Sequence, residues 1–240
     1  MRRLLLTLGI LTLVLLWCGP LPSLARQAFF AHMTMHMGVV AVAAPLLALG
    51  IAGERFDPVD KTPRLFAPIP ASILEFIAVW AWHAPGMHSI ARHEPAALAV
   101  EQAIFLLCGL LLWLSAFGGD AAQSNTGREG GRTIAGVVSL LLTSMHMTLL
   151  GALLALAPRP LYHPAPEVAA LAQLNGLSLA GICGPLGDYS TGFAGLAPLD
   201  DQHLGGAIML LIGGVSYLLG GLWLTCILLR DPVLGAGEQK

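Results

Sequence analysis

Residues 28–50 read AFFAHMTMHMGVVAVAAPLLALG and contain no Asp, Glu, Lys or Arg. About 20 consecutive apolar residues are enough for a helix to cross the hydrocarbon core of a bilayer. Four further stretches are similarly long and apolar, at 68–88, 96–117, 133–157 and 204–229. The sequence therefore predicts an all-α fold, a polytopic transmembrane helical bundle.

The composition of the whole chain agrees with this prediction. Of its 240 residues, 56% are hydrophobic and only 11% are charged, whereas a soluble domain carries about 25% charged residues. The mean hydropathy is +0.75. This composition excludes a soluble enzyme and a disordered chain, and a formal net charge of -2 without a basic face excludes a nucleic-acid partner. The four scattered cysteines indicate neither a disulfide framework nor a zinc ribbon.

Residues 1–25 have the features of a signal segment. Arg2 and Arg3 precede the apolar residues 4–17, and a small-x-small sequence, Ser23-Leu24-Ala25, follows. This pattern is typical of a secretory signal peptide, but an uncleaved signal anchor fits it equally well. In both cases the residues that follow emerge on the outer side of the membrane.

The positions of the basic residues set the predicted topology. With six spans and the N-terminus inside, nine of the 12 Lys and Arg residues face the cytoplasm, as the positive-inside rule requires. A seventh span at 168–182 would reduce this bias to seven against five. We therefore predict about six spans, with seven as the alternative, in a single transmembrane domain over 26–230. A structured outer loop at 158–203 and a short cytoplasmic tail at 231–240 complete the prediction, and both termini are cytoplasmic unless the signal segment is cleaved.

None of the eight histidines falls on the cytoplasmic side of this topology. At 1.5 Å of helix rise per residue, His36, His83 and His146 lie roughly 12, 8 and 16 Å below the outer ends of three different spans. His32 shares a helix face with His36, four residues away. Ionisable groups at such depth normally face a cavity or a partner. We interpret His88 and His93, by contrast, as solvated interfacial residues.

Methionines accompany these histidines. Six of the eight methionines neighbour a histidine in the sequence, and imidazole with thioether is a ligand set that copper prefers, the thioether selecting Cu(I). The pattern predicts a soft-metal site on the outer side, with candidate ligands His32, His36, His83, His146, Met33, Met37, Met147 and, nearer the surface, His203. Asp201 and Gln202 could orient a histidine by a hydrogen bond or cap the last helix, and Tyr162 could support the site or anchor the chain at the interface. The spacing leaves open which methionines bind.

An ordered set of motifs over residues 28–210 resembles a known family. The set comprises His32-Met-x-x-His36-Met, Trp82-His83-x-Pro85, Met145-His146-Met147, Gly151-Ala152-Leu153-Leu154, Ala157-Pro158-x-Pro160-Leu161-Tyr162 and Asp201-Gln202-x-x-Gly205-Gly206. Together they are similar to the caa3-type cytochrome c oxidase assembly factor family (CtaG). The resemblance implies a multi-pass protein of the bacterial cytoplasmic (inner) membrane that helps to mature a haem-copper oxidase. Where a further histidine would be expected from that pattern, this chain has Glu101-Gln102. The site could therefore be smaller than in relatives or be completed by Glu101, but we favour the interpretation of Glu101 as a simple interfacial carboxylate.

The function expected from these observations is transfer without bond chemistry, so we expect no enzyme. Cu(I) would be bound transiently at the His/Met site, received from a periplasmic copper donor and handed to a cytochrome c oxidase subunit within the lipid bilayer. Two alternatives remain open. One is a b-type haem protein with His36 and His146 as axial ligands, and the other is a copper permease.

Overall fold

The computed structural model describes residues 1–119, 127–162 and 196–230, and nine helices account for most of them. In chain order these are α1 Arg2–Cys18, α2 Leu21–Ala25, α3 Phe29–Ile51, α4 Pro58–Lys61, α5 Pro68–Trp82, α6 Pro85–His93, α7 Pro95–Phe117, α8 Gly127–Ala155 and α9 Pro198–Arg230. The all-helical prediction is confirmed for the described residues.

Proline sets where several of these helices begin. Pro68, Pro85, Pro95 and Pro198 are the first residues of α5, α6, α7 and α9. A proline has no backbone N–H and a fixed φ, so it fits the first helical position, where the N–H would lack a partner anyway. Pro85 also divides the predicted span at 68–88, because proline restricts the backbone of the residue before it. Ala84, which precedes Pro85, is extended (φ -61°, ψ 135°), so α5 ends at Trp82 and the short helix α6 follows.

Four helices of the described part are long and apolar enough to cross a membrane, namely α3, α7, the 131–155 part of α8, and α9. The six or seven predicted spans are therefore not confirmed, because α1 has 17 residues and α5 has 15. The possible span at 168–182, most of the predicted outer loop at 158–203 and the predicted tail at 231–240 lie outside the described residues.

Close helix contacts tie the bundle together. A Cβ added at Gly151 of α8 would lie 2.7 Å from the backbone nitrogen of Leu210 and 2.9 Å from the carbonyl oxygen of Gly206 on α9. Glycine at these positions therefore lets the two helices touch through their backbones. At one end of the bundle, the Arg2 guanidinium donates a hydrogen bond to the carbonyl of Gly53 (3.1 Å) and pairs with Glu54 (3.0 Å). We call this end the Arg2 end.

The opposite end is called the histidine end. There α3, α7 and α9 begin, and α5 and α8 finish. The Asp201 carboxylate of α9 accepts hydrogen bonds from the backbone N–H groups of Phe29 and Phe30, both at 2.8 Å. It thus caps the N-terminus of α3 from another helix, and so fixes where the first residues of α3 lie.

Two stretches of π-helix interrupt the long helices at similar depth, at Gly38–Ala43 in α3 and Met209–Gly213 in α9. In α3 the π-helix ends just before Pro45, which has no N–H to donate to the carbonyl one turn earlier. Such bulges change the direction in which side chains point and are frequent at functional sites. Here Met37 meets α9 at Gly213, where an added Cβ would lie 3.0 Å from the Met37 sulfur.

Candidate metal centre

Helix α3 presents two histidines to the interior of the bundle. His32 and His36 are four residues apart and therefore share a face. Both are buried, and their rings meet edge to face with centroids 4.3 Å apart. The sequence prediction that these two imidazoles lie together is confirmed.

Glu101 of α7 faces both imidazoles. Its Oε2 lies 3.3 Å from His32 Nε2 and its Oε1 lies 3.4 Å from His36 Nε2. One potential ligand atom from each of the three residues lies within 4.8 Å of the others. The carboxylate is fully buried, and neither of its oxygens has a well-formed hydrogen bond with any described residue. The interpretation of Glu101 as an interfacial carboxylate was wrong.

A buried carboxylate that is ionised requires a compensating charge. Unpaired charges inside a membrane bundle are costly, and they normally pair with each other or mark an ion site. Two imidazole nitrogens and a carboxylate oxygen that converge on one point are a common set of ligands for a transition metal. The signal was present in the sequence, because Glu101 is the one charged residue in the predicted span 96–117.

Gln102 and Phe105 fix the orientation of His36. The Gln102 side-chain amide nitrogen lies 2.7 Å from His36 Nδ1, and the Phe105 ring meets the imidazole edge to face at 4.6 Å. A metal-binding imidazole usually donates its other ring N–H to a partner, so binding through His36 Nε2 requires Gln102 to turn its amide oxygen, which has no hydrogen-bond partner among the described residues, toward Nδ1. α7 therefore contributes a carboxylate to the cluster and also residues that orient its partner.

His83, at the C-terminal end of α5, adds a different pair of atoms. Its Nδ1 donates a hydrogen bond to the carbonyl of Val79 at 2.7 Å, so in the neutral ring Nε2 carries a lone pair. That nitrogen lies 3.4 Å from the sulfur of Met33. A neutral imidazole nitrogen and a thioether sulfur both offer lone pairs, so their contact brings together two ligands for a soft cation. The His83 ring lies 5.7 Å from that of His36, centroid to centroid.

Two further predicted thioethers lie deeper in the bundle. Met37 and Met147 are both buried, and both border Gly213 of α9. An added Cβ at Gly213 would be 3.0 Å from the Met37 sulfur and 3.5 Å from Met147 Cβ. The predicted methionines therefore line two adjoining regions, Met33 beside His83 and the Met37–Met147 pair beyond it.

The structure does not bring His146 into this group. Its ring packs edge to face on Phe76 at 5.2 Å, and within the described residues it makes no ring contact or hydrogen bond with His32, His36 or His83. Neighbouring residues on a helix point about 100° apart. Because Met147 faces Met37 and Gly213, His146 is turned toward α5.

His203 and the three predicted supporting residues bind backbone groups. His203 Nε2 donates a hydrogen bond to the carbonyl of Ala157 (2.9 Å). The Gln202 side chain accepts a hydrogen bond from the Leu161 N–H (2.7 Å) and donates one to the carbonyl of Leu154 (3.2 Å). The Tyr162 hydroxyl donates to the carbonyl of His83 (2.9 Å). Asp201 caps α3 as described above. These residues hold the helix ends that carry the histidines, and they do so through the backbone rather than through an imidazole.

His88 was interpreted as solvated, and this was wrong. Only 1% of its surface is exposed, and its ring lies between Phe29 (5.2 Å), Tyr162 (4.3 Å) and His32 (4.5 Å). Neither ring nitrogen forms a hydrogen bond with a described residue. Burial, together with the nearby His32, lowers the pKa of His88 well below its usual range. His93, on the same helix, is exposed as expected.

Comparison with known proteins places the chain in a family. The sequence model described as cytochrome c oxidase caa3 assembly factor (Caa3_CtaG) matches residues 1–231. No curated protein and no solved structure matches the chain. With nearly its whole length covered by that match, the chain belongs to the caa3 cytochrome c oxidase assembly factor family.

Proposed function

We propose that this assembly factor binds Cu(I) within the bundle and hands it to a cytochrome c oxidase subunit. The single observation that carries the proposal is the convergence of His32, His36 and Glu101, with one ligand atom of each within 4.8 Å of the others. The Met33 sulfur beside His83 Nε2 extends this cluster with a soft ligand.

Charge balance favours a monovalent ion. An imidazole binds a metal ion in its neutral form, so with a metal bound the Glu101 carboxylate supplies the one negative charge of the cluster. Cu(I) would neutralise this charge, whereas a divalent ion would leave one positive charge in a region where unpaired charge is costly. The thioether of Met33 favours the same ion, because sulfur ligands select Cu(I) over harder cations.

We also propose that α1 and α5 cross the membrane with the four longer helices. Each carries a band of exposed apolar side chains, such as Leu4, Leu11 and Leu15 on α1 and Ile73 and Ile77 on α5. Lipid is the natural environment for such a surface. Six crossings would place the histidine end outside the cytoplasmic membrane, where a periplasmic donor could deliver copper.

The two alternative functions receive less support. A haem held by His36 and His146 would need these imidazoles on opposite sides of one space, yet His146 packs on Phe76. A permease would need ligands toward the Arg2 end, where the buried Glu75 accepts a hydrogen bond from Tyr217 and Cys226 is exposed. A Soret band in the purified protein would revive the haem alternative, and copper uptake into proteoliposomes would revive the permease.

Anaerobic Cu(I) titration of the purified full-length protein, against a competing chelator, tests the proposal. We expect the variant His32→Ala/His36→Ala to bind Cu(I) about 100-fold more weakly, a loss of about 2.7 kcal/mol. His93→Ala, which removes an exposed histidine, is the matched control and should bind like the wild type.

Oxidase maturation provides the second measurement. In cells that depend on this chain, the double variant should lower cytochrome c oxidase activity, and added copper should restore part of it. Equal Cu(I) affinity in the wild type and the double variant, or normal oxidase activity without added copper, would contradict the proposal.

A further inference from the structure

The buried imidazoles continue beyond the inner cluster toward the histidine end of the bundle. His36 contacts His32 (4.3 Å between centroids), and His32 in turn contacts His88 (4.5 Å). The three rings therefore form an unbroken series that starts on α6, between the spans, and ends beside Glu101. His32 lies in the middle of this series and contacts both His36 and His88.

We propose that His88 and His32 form a second, outer metal position through which Cu(I) enters the inner cluster of His32, His36 and Glu101. This proposal rests on the copper-binding function proposed above and adds a site and a route to it.

The chemistry of His88 supports a ligand role. Its side chain is 1% exposed, and both of its ring nitrogens lack a hydrogen bond with any described residue. A buried polar group without a partner lowers the stability of the fold, so a purely structural role would be better served here by an apolar aromatic residue. The rings of His88 and His32 are in contact, with centroids 4.5 Å apart, so a second imidazole lies directly beside the unpartnered nitrogens of His88.

The surroundings of the outer position give it access to the surface. Met87, which precedes His88 on α6, has 38% of its surface exposed and offers a thioether at the protein surface. A Cβ added at the adjacent Gly86 would meet no atom of the described residues within 4 Å. An ion could thus be captured at the surface next to the buried His88.

Charge gives the route a direction. Arg92 lies one turn after His88 on α6, and its guanidinium donates a hydrogen bond to the carbonyl of Gln27 at 2.9 Å. This positive charge disfavours a resident cation at the outer position, whereas Glu101 favours one at the inner position. Transfer requires that the bond from copper to His88 breaks as the bonds to His36 and Glu101 form, while His32 keeps the ion bound. Copper remains Cu(I) throughout, so no redox partner is needed.

The test separates the rate of loading from the affinity at equilibrium. Cu(I) is supplied as its bicinchoninate complex to the full-length protein in detergent, and the transfer is followed by the absorbance of that complex. We expect His88→Ala to reach nearly the same final occupancy as the wild type but to load about tenfold more slowly, equivalent to about 1.4 kcal/mol in barrier height. His93→Ala, on the same helix, should load at the wild-type rate.

Two further variants separate ligation from packing. His88→Met supplies a lone pair without an imidazole and should restore fast loading, whereas His88→Phe keeps an aromatic ring against Phe29 and Tyr162 and should stay slow. Wild-type loading rates in His88→Ala or His88→Phe would overturn the proposal and leave the inner site intact. If the wild type itself takes up no Cu(I), the proposed function fails as well, so the two failures are distinguishable.

Discussion

Glu101 determines the charge of the candidate centre. It is buried between His32 and His36, and its oxygens lie 3.3 and 3.4 Å from their Nε2 atoms. An imidazole that binds a metal carries no charge, so in the proposed site the carboxylate is the group that favours a cation over an uncharged occupant. A charged residue within a helical span is energetically costly. The proposed metal binding gives a reason for the presence of Glu101 in α7.

Replacing Glu101 by glutamine tests this role. Glu101→Gln keeps the size of the side chain but removes its charge, so we expect Cu(I) affinity to fall about 10- to 100-fold, the range observed when groups around a metal are altered. Competition with a Cu(I) chelator measures the change. Glu94→Gln is the matched control, since Glu94 is an exposed carboxylate just before α7. Equal losses in the two variants would show that the position of the charge does not matter.

At the scale of single residues, the sequence predicted which side chains share one helix face better than it predicted directions that depend on helix ends and packing. The four-residue spacing of His32 and His36 was sufficient to place them together. His146 was expected in the same group on grounds of depth alone, but depth does not define the direction in which a side chain points. His88 was missed because Pro85 begins a new helix there, and this turns His88 inward beneath Phe29 and Tyr162.

At the scale of helices, the N-terminus of α3 is fixed by a residue from α9. Asp201 accepts hydrogen bonds from the backbone N–H groups of Phe29 and Phe30, one turn before His32. From the sequence, Asp201 was expected either to orient a histidine or to cap its own helix. Its carboxylate instead caps α3, a contact between residues more than 170 positions apart that no local pattern could reveal.

Removing this cap should weaken the bundle and the metal site together. We expect Asp201→Ala to lower the free energy of unfolding by about 1–2 kcal/mol, the usual cost of losing a helix cap, and to lower Cu(I) affinity because His32 is no longer held in place. Thermal unfolding in detergent and Cu(I) titration measure the two effects. The neighbouring exposed Asp200 supplies the control, and an Asp200→Ala variant as unstable as Asp201→Ala would contradict the capping role.

Helix boundaries followed the proline pattern more closely than the hydropathy pattern. Hydropathy extended the second long stretch to residue 88, but Pro85 ends it at Trp82. The division matters for the site, because it leaves His83 at a helix end, where its Nε2 reaches Met33. The π-helices at Gly38–Ala43 and Met209–Gly213 were not predicted either, since they depend on how α3 and α9 pack.

At the scale of the whole molecule, the two ends of the bundle should lie on opposite sides of the membrane. The histidine end carries the candidate centre, and basic residues such as Arg2 mark the other end. In a cysteine-free background, we expect His93→Cys to react with a membrane-impermeant thiol reagent in intact spheroplasts. Thr62→Cys, between α4 and α5, should react only after lysis. The reverse pattern would place the site on the cytoplasmic side and contradict delivery from a periplasmic donor.

The central claim is that nitrogen, oxygen and sulfur atoms from separate helices hold one Cu(I) ion inside this assembly factor. X-ray absorption at the copper edge of the Cu(I)-loaded full-length protein tests it most directly. We predict nitrogen or oxygen neighbours near 2.0 Å and a sulfur neighbour near 2.3 Å, about the lengths of metal–imidazole and metal–sulfur bonds, and we predict that His32→Ala/His36→Ala loses this spectrum. Copper that is lost on gel filtration, or a spectrum unchanged in that variant, would contradict the account.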